Sequence, residues 1–325
     1  MSQRIQFSQT GGSEVLEIVD EAPSAPGPGE VLIRNKAVGL NFIDIYFRTG
    51  LYPAPSMPSG LGTEGAGVVE AVGEDVTHLN VGDRVAYAQG PLGAYAEHHT
   101  LPAEKVVLLP DFVDFETAAA SMLKGLTVQY LLRQTYALKG GETILFHAAA
   151  GGVGSIACQW AKALGVKLIG TVSSKEKAEL AMANGAWATI NYTEEDVVER
   201  VRELTHGEMC DVVYDSVGKD TWEMSLDCLK PRALMVSFGN ASGPVDGVNI
   251  GILNQKGSLF VTRPSLNGYA DTRERLEMMC DDFFAMLESG KIQVDVANRY
   301  PLAEAGRAQD AVQSRKTTGS TVLLP

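Results

Sequence analysis

The stretch His147-Ala-Ala-Ala-Gly-Gly-Val-Gly154 decides the fold of the second half of this chain. It follows a short apolar run, Thr143-Ile-Leu-Phe-His147, that predicts a strand. It leads into residues 153–164, where apolar side chains recur at the spacing of a helix with one buried face. The glycine pattern is Ala149-x-Gly151-x-x-Gly154, with alanine in the first of the three usual glycine positions. Because a pyrophosphate must approach bare backbone at a helix N-terminus, this order predicts a dinucleotide-binding turn.

Outward from this turn, strand-like and helix-like segments alternate. The predicted strands are 143–147, 167–172, 211–215, 233–238 and 258–261, and the predicted helices lie near 153–164, 174–184, 194–205 and 220–229. Ser173-Ser174 and Thr193 mark two helix starts, and Asp196 follows the second. Such alternation predicts an α/β fold with a doubly wound parallel sheet of the Rossmann type.

The first 125 residues differ, because short strands bounded by Gly and Asp predominate there. Strands are predicted at 31–37, 67–72 and 84–88, and no helix is expected before a helical pattern at 115–136. After about residue 265 come a long predicted helix, 272–289, and short strands near 299–301 and 320–324. This tail does not extend the alternation. One interpretation is that it returns to complete the N-terminal β-rich domain.

Composition narrows the class of protein. A chain of 325 residues with 45% hydrophobic and 21% charged residues is long enough for two soluble globular domains. No apolar run approaches the roughly 18 residues of a membrane span, and the N-terminus lacks the apolar run of a secretory signal. A net charge of -13 argues against broad binding of a nucleic-acid backbone. We therefore expect a cytoplasmic enzyme that binds neither membrane nor nucleic acid.

The end of the second predicted strand indicates which nicotinamide cofactor binds. In dinucleotide folds an acidic residue about 20 residues after the glycine turn binds the adenosine 2′-hydroxyl and selects NAD. Here Ser173 occupies that place, and Lys177 lies one helical turn further on, where it can point back at the strand end. Tyr192 offers a further hydroxyl donor. We predict NADPH, whereas the alternative is that Lys175 and Lys177 are solvated charges on a helix face.

The chain offers little for metal binding or nucleophilic catalysis. None of the five histidines has a ligand-type partner three or four residues further along a predicted helix, and the four cysteines are widely spaced. The glycine-lined segments 39–52 and 58–67 carry Asn41, Tyr46 and Tyr52, which we expect to line a cleft facing the nicotinamide. The alternative is that these three are core and turn residues.

Together these segments resemble the medium-chain dehydrogenase/reductase superfamily, and specifically its zinc-independent quinone oxidoreductase branch, the zeta-crystallin-like enzymes. The resemblance covers essentially the whole chain, and its most specific part runs from Gly141-Glu through the glycine turn to Gln159 and Lys162. The further matching motifs are Gly39-Leu-Asn-Phe-x-Asp44, Gly62-Thr-Glu-Gly-Ala-Gly67, Lys124-Gly-Leu-Thr127 and Asp215-Ser-Val-Gly218. Zinc enzymes of the superfamily have cysteine at the position of Asn41 and histidine at that of Thr63. The resemblance therefore implies that no metal is bound.

The resemblance also implies an architecture and a set of binding residues. A GroES-like substrate domain would comprise residues 1–125 and be completed by 265–325, while residues 126–264 would form the Rossmann NADPH-binding domain, with the active site in the cleft between them. A homodimer is implied, joined near residues 246–262. The implied cofactor-binding residues are Asn41, Tyr46, Thr127, Tyr130, Gly152, Val153, Ser173, Lys177, Tyr192, Ser216, Phe238, Gly239, Pro264 and Arg315.

The implied activity is hydride transfer from NADPH to a quinone. We expect no single essential catalytic residue, since a quinone is electrophilic without a metal; Asn41, Tyr46 and Tyr52 are the candidates for orienting the substrate. An alternative is an NADPH-dependent reductase of enone or alkenal double bonds, which nothing in the sequence separates from quinone reduction. An alternative of another class is a non-catalytic structural or RNA-binding protein. The sequence does not name the physiological acceptor.

Overall fold

The structure is a computed structural model that describes residues 1–314 and 317–325. In these residues the strands are β1 (Ser2–Phe7), β2 (Leu16–Glu21), β3 (Glu30–Leu40), β4 (Ser59–Gly60), β5 (Gly65–Val72), β6 (Arg84–Tyr87), β7 (His98–Pro102), β8 (Val106–Leu108), β9 (Thr143–Phe146), β10 (Lys167–Val172), β11 (Ala188–Asn191), β12 (Cys210–Asp215), β13 (Leu229–Ser237), β14 (Phe260–Thr262), β15 (Asn298–Pro301) and β16 (Thr321–Leu324). The α-helices are α1 (Phe42–Thr49), α2 (Phe115–Tyr130), α3 (Gly152–Leu164), α4 (Lys175–Ala183), α5 (Val197–Leu204), α6 (Trp222–Asp227), α7 (Gly251–Gln255), α8 (Leu266–Tyr269), α9 (Arg273–Glu288) and α10 (Ala305–Gln313).

The chain divides into two compact units. The first comprises residues 1–124, 270–284 and 294–325, and the second comprises residues 125–269 and 285–293. Each unit has a sheet and a hydrophobic core of its own.

The second unit is built on a parallel sheet with the strand order β11-β10-β9-β12-β13-β14. Counted from β9, this is the order 3-2-1-4-5-6 of the Rossmann fold, which confirms the predicted fold class. The central strands are apolar on both faces, and Leu145, Ile169 and Val213 are fully buried in one core. Strand order reverses between β9 and β12, so the carboxyl ends of these two strands mark the place where such folds bind ligands.

The first unit is built mainly on antiparallel strands. One sheet has the order β15-β16-β3-β5-β6-β8, with β7 also paired to β3, and a smaller sheet has the order β2-β1-β4. The C-terminal strand β16 pairs antiparallel with β3, register Val322 to Gly39, and parallel with β15. The tail thus returns to the N-terminal sheet, as one interpretation of the sequence had it.

The prediction that no helix precedes residue 115 was wrong, because α1 spans Phe42–Thr49. The backbone N–H of Asn41 donates a hydrogen bond of 2.8 Å to Asp44 Oδ2 at the start of α1, and Gly50 ends the helix in the left-handed conformation, φ 82°. The buried face of α1 includes Asp44 and Arg48 beside Ile45 and Tyr46. Two charged residues on the buried face conceal the apolar periodicity by which a helix is recognised.

Two other elements begin at a later residue than the sequence predicted, and the cause is local in each case. Helix α5 begins after Asp196, whose side chain accepts the N–H of Glu199, so Asp196 is the N-cap in place of the predicted Thr193. The predicted strand at 258–261 begins only at Phe260, because Ser258 has a left-handed backbone, φ 58°. Ser174 is the N-cap of α4, as predicted.

In the part of the chain that the structure describes, none of the helices combines the length and the apolar character needed to cross a membrane.

Candidate functional site

The glycine turn joins β9 to α3 through very close backbone packing. A Cβ on Gly154 would lie 2.4 Å from the carbonyl oxygen of Ala148 and 2.6 Å from Cα of Ala149. A Cβ on Gly170, in the neighbouring strand, would lie 2.5 Å from Cβ of Ala149. Ala148 itself is left-handed, φ 56°. The turn therefore packs tightly against the sheet because residues 154 and 170 are glycine and residue 149 is no larger than alanine.

Helix α3 starts at this turn and presents its N-terminus beyond the strand end. The first helical hydrogen bond runs from the N–H of Ser155 to the carbonyl of Gly151, at 2.8 Å. The N–H groups of Gly152, Val153 and Gly154 precede that bond and have no carbonyl acceptor within the helix. Gly152 and Val153 are half-buried. Backbone donors and the helix dipole at this point fit a pyrophosphate.

The residues predicted to bind the 2′-phosphate lie near the ends of the next two strands. Lys177 Nζ donates a hydrogen bond of 3.3 Å to Ser173 Oγ, so the lysine does point back at the end of β10. In the parallel pairing of β10 with β11, Val172 lies opposite Asn191, which places Ser173 and Tyr192 just after adjacent strand ends. Tyr192 is 43% exposed. An ammonium and two hydroxyl groups at this edge fit a 2′-phosphate, whereas a carboxylate would repel it.

Four more of the predicted residues follow the other strand ends. Ser216 follows β12, Phe238 and Gly239 follow β13, and Pro264 lies shortly after β14. A Cβ on Gly239 would lie 2.2 Å from the carbonyl oxygen of Ser216, so these two loops touch through bare backbone. The ring of Phe238 packs on that of Phe146, with 5.7 Å between centroids. The carboxyl edge of the sheet thus brings the second-unit candidates to one side.

Helix α2 carries the remaining candidates of the second unit. Tyr130 is 3% exposed, and its ring stacks on Tyr269 with 4.8 Å between centroids and 9° between planes. Burial raises the pKa of Tyr130 above its ordinary range, while a hydrogen bond with Thr127 lowers it. Tyr130 therefore stays a neutral hydroxyl. Arg315 lies outside the described residues.

In the first unit, α1 positions the three residues predicted to orient the substrate. Asn41 precedes the helix, Tyr46 lies within it and is 8% exposed, and Tyr52 follows it. The backbone N–H of Tyr52 donates to the carbonyl of Tyr46 at 3.0 Å, and the two rings meet edge to face, 5.2 Å between centroids. These contacts hold both phenols together at the C-terminal end of α1.

Asn41 lies against a buried charged pair that the sequence did not reveal. Its Nδ2 donates to Glu64 Oε2 at 2.6 Å, while the other carboxylate oxygen accepts the backbone N–H of Leu123 at 2.6 Å. Lys124 Nζ lies 3.5 Å from Glu64 Oε2. Burial raises the pKa of Glu64, and the charge of Lys124 opposes that shift. A Cβ on Gly39 would lie 2.1 Å from Glu64 Oε2, which explains the glycine there.

A second buried carboxyl group, that of Asp44, accepts hydrogen bonds at the start of α1. Its Oδ2 accepts both the N–H of Asn41 and the hydroxyl of Tyr95, the latter at 2.8 Å. Burial raises the pKa of Asp44 to about 7, although those two hydrogen bonds lower it. Gln309 Nε2 lies 3.4 Å from the Tyr95 hydroxyl, and its Oε1 accepts a hydrogen bond from the buried Arg48. The sequence signal for this network was the pairing of Asn41 with Asp44 at capping distance.

The histidines of the first unit do not gather around an acidic cluster. His98 Nε2 lies 2.8 Å from Glu70 Oε2, and His99 is buried, which lowers its pKa to about 4. Among residues 1–314 and 317–325, no three His, Cys, Asp or Glu side chains form a group able to hold a metal ion. Independence from zinc rests on the residue types at positions 41 and 63 and stays a prediction.

Two family models match the chain. The alcohol dehydrogenase GroES-like domain matches residues 27–111, and the zinc-binding dehydrogenase domain matches residues 152–280. The first lies in the unit that carries Asn41, and the second begins at the first helical residue after the glycine turn.

Full-length relatives extend this similarity. A quinone oxidoreductase of Pseudomonas aeruginosa is 68% identical over 325 residues, which cover 100% of both chains. The crystal structure of Escherichia coli quinone oxidoreductase complexed with NADPH is 60% identical, has a TM-score of 0.98, and covers 99% of this chain and 100% of its own. A 2-haloacrylate reductase of Burkholderia is 46% identical over 322 residues, 97% of this chain and 96% of the relative. The similarity therefore includes both units.

Proposed function

The chain belongs to the quinone oxidoreductase family of the medium-chain dehydrogenase/reductase superfamily, and we propose that its residues perform the NADPH-dependent reduction of a quinone as follows. Full-length relatives at 60–68% identity are named quinone oxidoreductases, and the crystal structure at 60% identity is a complex with NADPH, which supports this proposal. One observation carries the choice of cofactor: Lys177 Nζ lies 3.3 Å from Ser173 Oγ at the strand end where NAD enzymes carry an acid.

When bound, NADPH supplies the hydride that reduces the acceptor. The backbone N–H groups of Gly152 and Val153 bind its pyrophosphate, since they lack helical acceptors. Ser173, Lys177 and Tyr192 bind the 2′-phosphate. The residues proposed around the rest of the cofactor are Asn41, Tyr46, Thr127, Tyr130, Ser216, Phe238, Gly239, Pro264 and Arg315.

The residues of α1 orient the acceptor. A quinone gains negative charge on oxygen as it is reduced, and a hydrogen bond from a fixed donor stabilises that charge. Tyr46 and Tyr52 each offer a phenol, and Asn41 has a second N–H on the nitrogen that donates to Glu64. Because three donors are available and water can protonate the product, no single side chain is indispensable.

A second candidate is the reduction of an activated carbon–carbon double bond, such as an enone or alkenal. The 46% identity with a 2-haloacrylate reductase over nearly the whole chain supports this second candidate. A non-catalytic structural or RNA-binding role is a weaker alternative, because the net charge of -13 opposes attraction to a polyanion.

A steady-state panel of acceptors tests the function. Oxidation of NADPH and of NADH is followed with ortho-quinones, para-quinones, enones and 2-haloacrylate. We expect kcat/KM to be highest with a quinone and with NADPH. Higher kcat/KM on enones would transfer the assignment to the second candidate, and no turnover on any acceptor would contradict an enzymatic role. Activity should also persist after exhaustive chelation; loss of activity that zinc restores would contradict the metal-free mechanism.

We further infer a cytoplasmic homodimer. Strand β14 is an edge strand of the parallel sheet, and its Phe260 and Val261 are exposed at 62% and 37%. Ile250, at the N-terminus of α7 in the same segment 246–262, is 79% exposed. An exposed apolar edge strand pairs readily with a second copy of itself. The domain assignment that accompanies this proposal is residues 1–125 with 265–325 for the substrate domain and 126–264 for the NADPH domain.

A further inference from the structure

His147 is a buried titratable residue that the proposed reaction does not use. It directly follows β9, is 1% exposed, and is the residue immediately before the glycine turn. Its backbone N–H donates to the carbonyl of Tyr214 in β12, and the N–H of Ala149 donates to the carbonyl of Thr171 in β10, both at 3.1 Å. The residue thus lies at the centre of the sheet edge where strand order reverses.

Both ring nitrogens of His147 have a hydroxyl partner. Nδ1 lies 3.0 Å from Thr171 Oγ1, and Nε2 lies 2.9 Å from Ser225 Oγ on α6. The Ser225 hydroxyl donates in turn to Asp215 Oδ2 at 2.8 Å. All four side chains are at most 1% exposed. A continuous buried chain of hydrogen bonds therefore connects β10, β9, α6 and β12.

The far end of this chain of hydrogen bonds fixes the direction of the two bonds that Ser225 makes. Asp215 Oδ1 accepts the N–H groups of Val217 and Gly218, at 2.7 and 3.0 Å, and Oδ2 accepts the hydroxyls of Thr221 and Ser225. A carboxylate only accepts, so the single hydrogen of Ser225 points at Asp215. The Ser225 oxygen then accepts from His147 Nε2–H.

This direction requires a hydrogen on Nε2 of His147, and in the neutral ring Nδ1 then accepts the hydroxyl hydrogen of Thr171. Burial lowers the pKa of His147, while the charge of Asp215 raises it. The neutral form agrees with the geometry, because both partners of the buried ring are uncharged hydroxyls and the carboxylate of Asp215 is hydrogen-bonded to Ser225 and not to the ring itself.

We propose that His147, held as the Nε2–H tautomer between Thr171 and Ser225, is a positioning residue that fixes the dinucleotide-binding turn. The inference rests on the proposed function, in which Gly152 and Val153 of that turn bind the pyrophosphate. This chain of hydrogen bonds anchors His147, the residue before the turn, at one end and the loop of Val217 and Gly218 at the other. The turn binds the pyrophosphate, which NADPH and NADH share. His147 therefore affects the binding of both cofactors equally.

The tautomer is tested directly on the wild-type protein. Two-bond ¹H–¹⁵N correlation spectra of protein labelled on histidine, with His147→Gln used for assignment, distinguish protonated from bare ring nitrogens. We expect Nδ1 of His147 in the range of a bare nitrogen and Nε2 in that of a protonated one. The opposite tautomer, or a doubly protonated ring at neutral pH, overturns the proposal.

Binding is tested with Thr171→Val, which removes the hydroxyl and keeps the shape of the side chain. Thr171→Ser restores the hydroxyl, and Thr143→Val is the matched control at the amino end of β9, away from the turn. We expect Thr171→Val to raise the Kd of NADPH and of NADH by the same factor, about fivefold or more, because a buried acceptor loses its partner. At saturating cofactor kcat should change little, and Thr171→Ser should bind as the wild type does.

Two outcomes overturn this role: an unchanged Kd in Thr171→Val, or an equal rise in Kd in Thr143→Val. If Thr171→Val does not fold, Ser225→Ala is measured in its place with the same expectation. A failure of the proposed function is distinguishable, because it would appear in the wild-type protein as absence of NADPH binding or of quinone reduction, whereas the tautomer is measured without either.

Discussion

The side-chain nitrogen of Asn41 donates a hydrogen bond of 2.6 Å to the fully buried Oε2 of Glu64. Glu64 is in turn held by the backbone of Leu123 and by Lys124. This contact fixes the orientation of the Asn41 amide before any substrate arrives, which is what an orienting group requires. It also means that Asn41 contributes to stability, so the two roles must be separated by experiment.

Asn41→Ala should lower both stability and kcat/KM for quinone. The buried Glu64 loses a donor, which costs about 1–3 kcal/mol in the free energy of unfolding. The loss in kcat/KM tests the proposal that the second N–H of the Asn41 side chain orients the acceptor. Urea denaturation and steady-state kinetics give the two quantities.

Asn35→Ala is the matched control for that variant. Asn35 is a buried asparagine of the same unit, whose Nδ2 donates to the carbonyls of Ala94 and Ala96 and whose Oδ1 accepts from Tyr87. It should lose comparable stability and keep kcat/KM. If both variants lose kcat/KM in proportion to stability, Asn41 has no orienting role.

Lys177→Ala should weaken the use of NADPH far more than that of NADH. A charge-assisted hydrogen bond is worth roughly 1.5–3 kcal/mol, or about 10- to 150-fold in kcat/KM. Lys175→Ala is the control, since Lys175 begins the same helix and is exposed. Equal losses with both cofactors, or equal effects of the two variants, would remove Lys177 from the phosphate pocket.

Asp44→Asn should change how stability depends on pH. Burial raises the pKa of Asp44 from its ordinary value of 3.8 to about 7, so the folded protein retains a proton that the unfolded chain has lost. The contribution of Asp44 is therefore fully present below about pH 4 and is lost as pH rises through 7. Relative to wild type, Asp44→Asn should gain stability between pH 4 and pH 8, by at most about 4 kcal/mol.

Urea denaturation at several pH values measures this difference. Asp20→Asn, at an exposed position in β2, is the control and should have the same pH profile as the wild type. A constant difference between Asp44→Asn and wild type across this range would show that Asp44 titrates normally.

Phe260→Asp should shift the protein from dimer to monomer. A charge on the edge strand β14 opposes pairing of two apolar edges. Phe112→Asp is the control, because Phe112 is an equally apolar residue of the first unit and is 50% exposed. It should leave the mass of the assembly in solution unchanged. Sedimentation velocity at micromolar concentration measures both. A wild-type monomer, or a dimer that survives Phe260→Asp, would contradict the proposed interface.

Local sequence predicted the elements whose signals are periodic. The alternation after residue 140 and the turn at Ala149–Gly154 gave the parallel sheet, because buried strands and one-faced helices repeat at fixed spacing. Ser174 was recognised as a helix start because capping depends on neighbours in the chain. Helix α1 was not recognised, since its inward face includes Asp44 and Arg48, which are satisfied by residues distant in the chain.

The sequence by itself determined the class of protein: a Rossmann sheet with a glycine turn, a serine where NAD enzymes have an acid, and motifs of the quinone oxidoreductase family. Only the tertiary structure decided which side chains hold these features in place. Glu64 lies 23 residues from Asn41, and Ser225 lies 78 residues from His147. Such pairings leave no local signal, because a buried hydrogen bond between distant residues depends on how the whole chain folds and not on spacing along it.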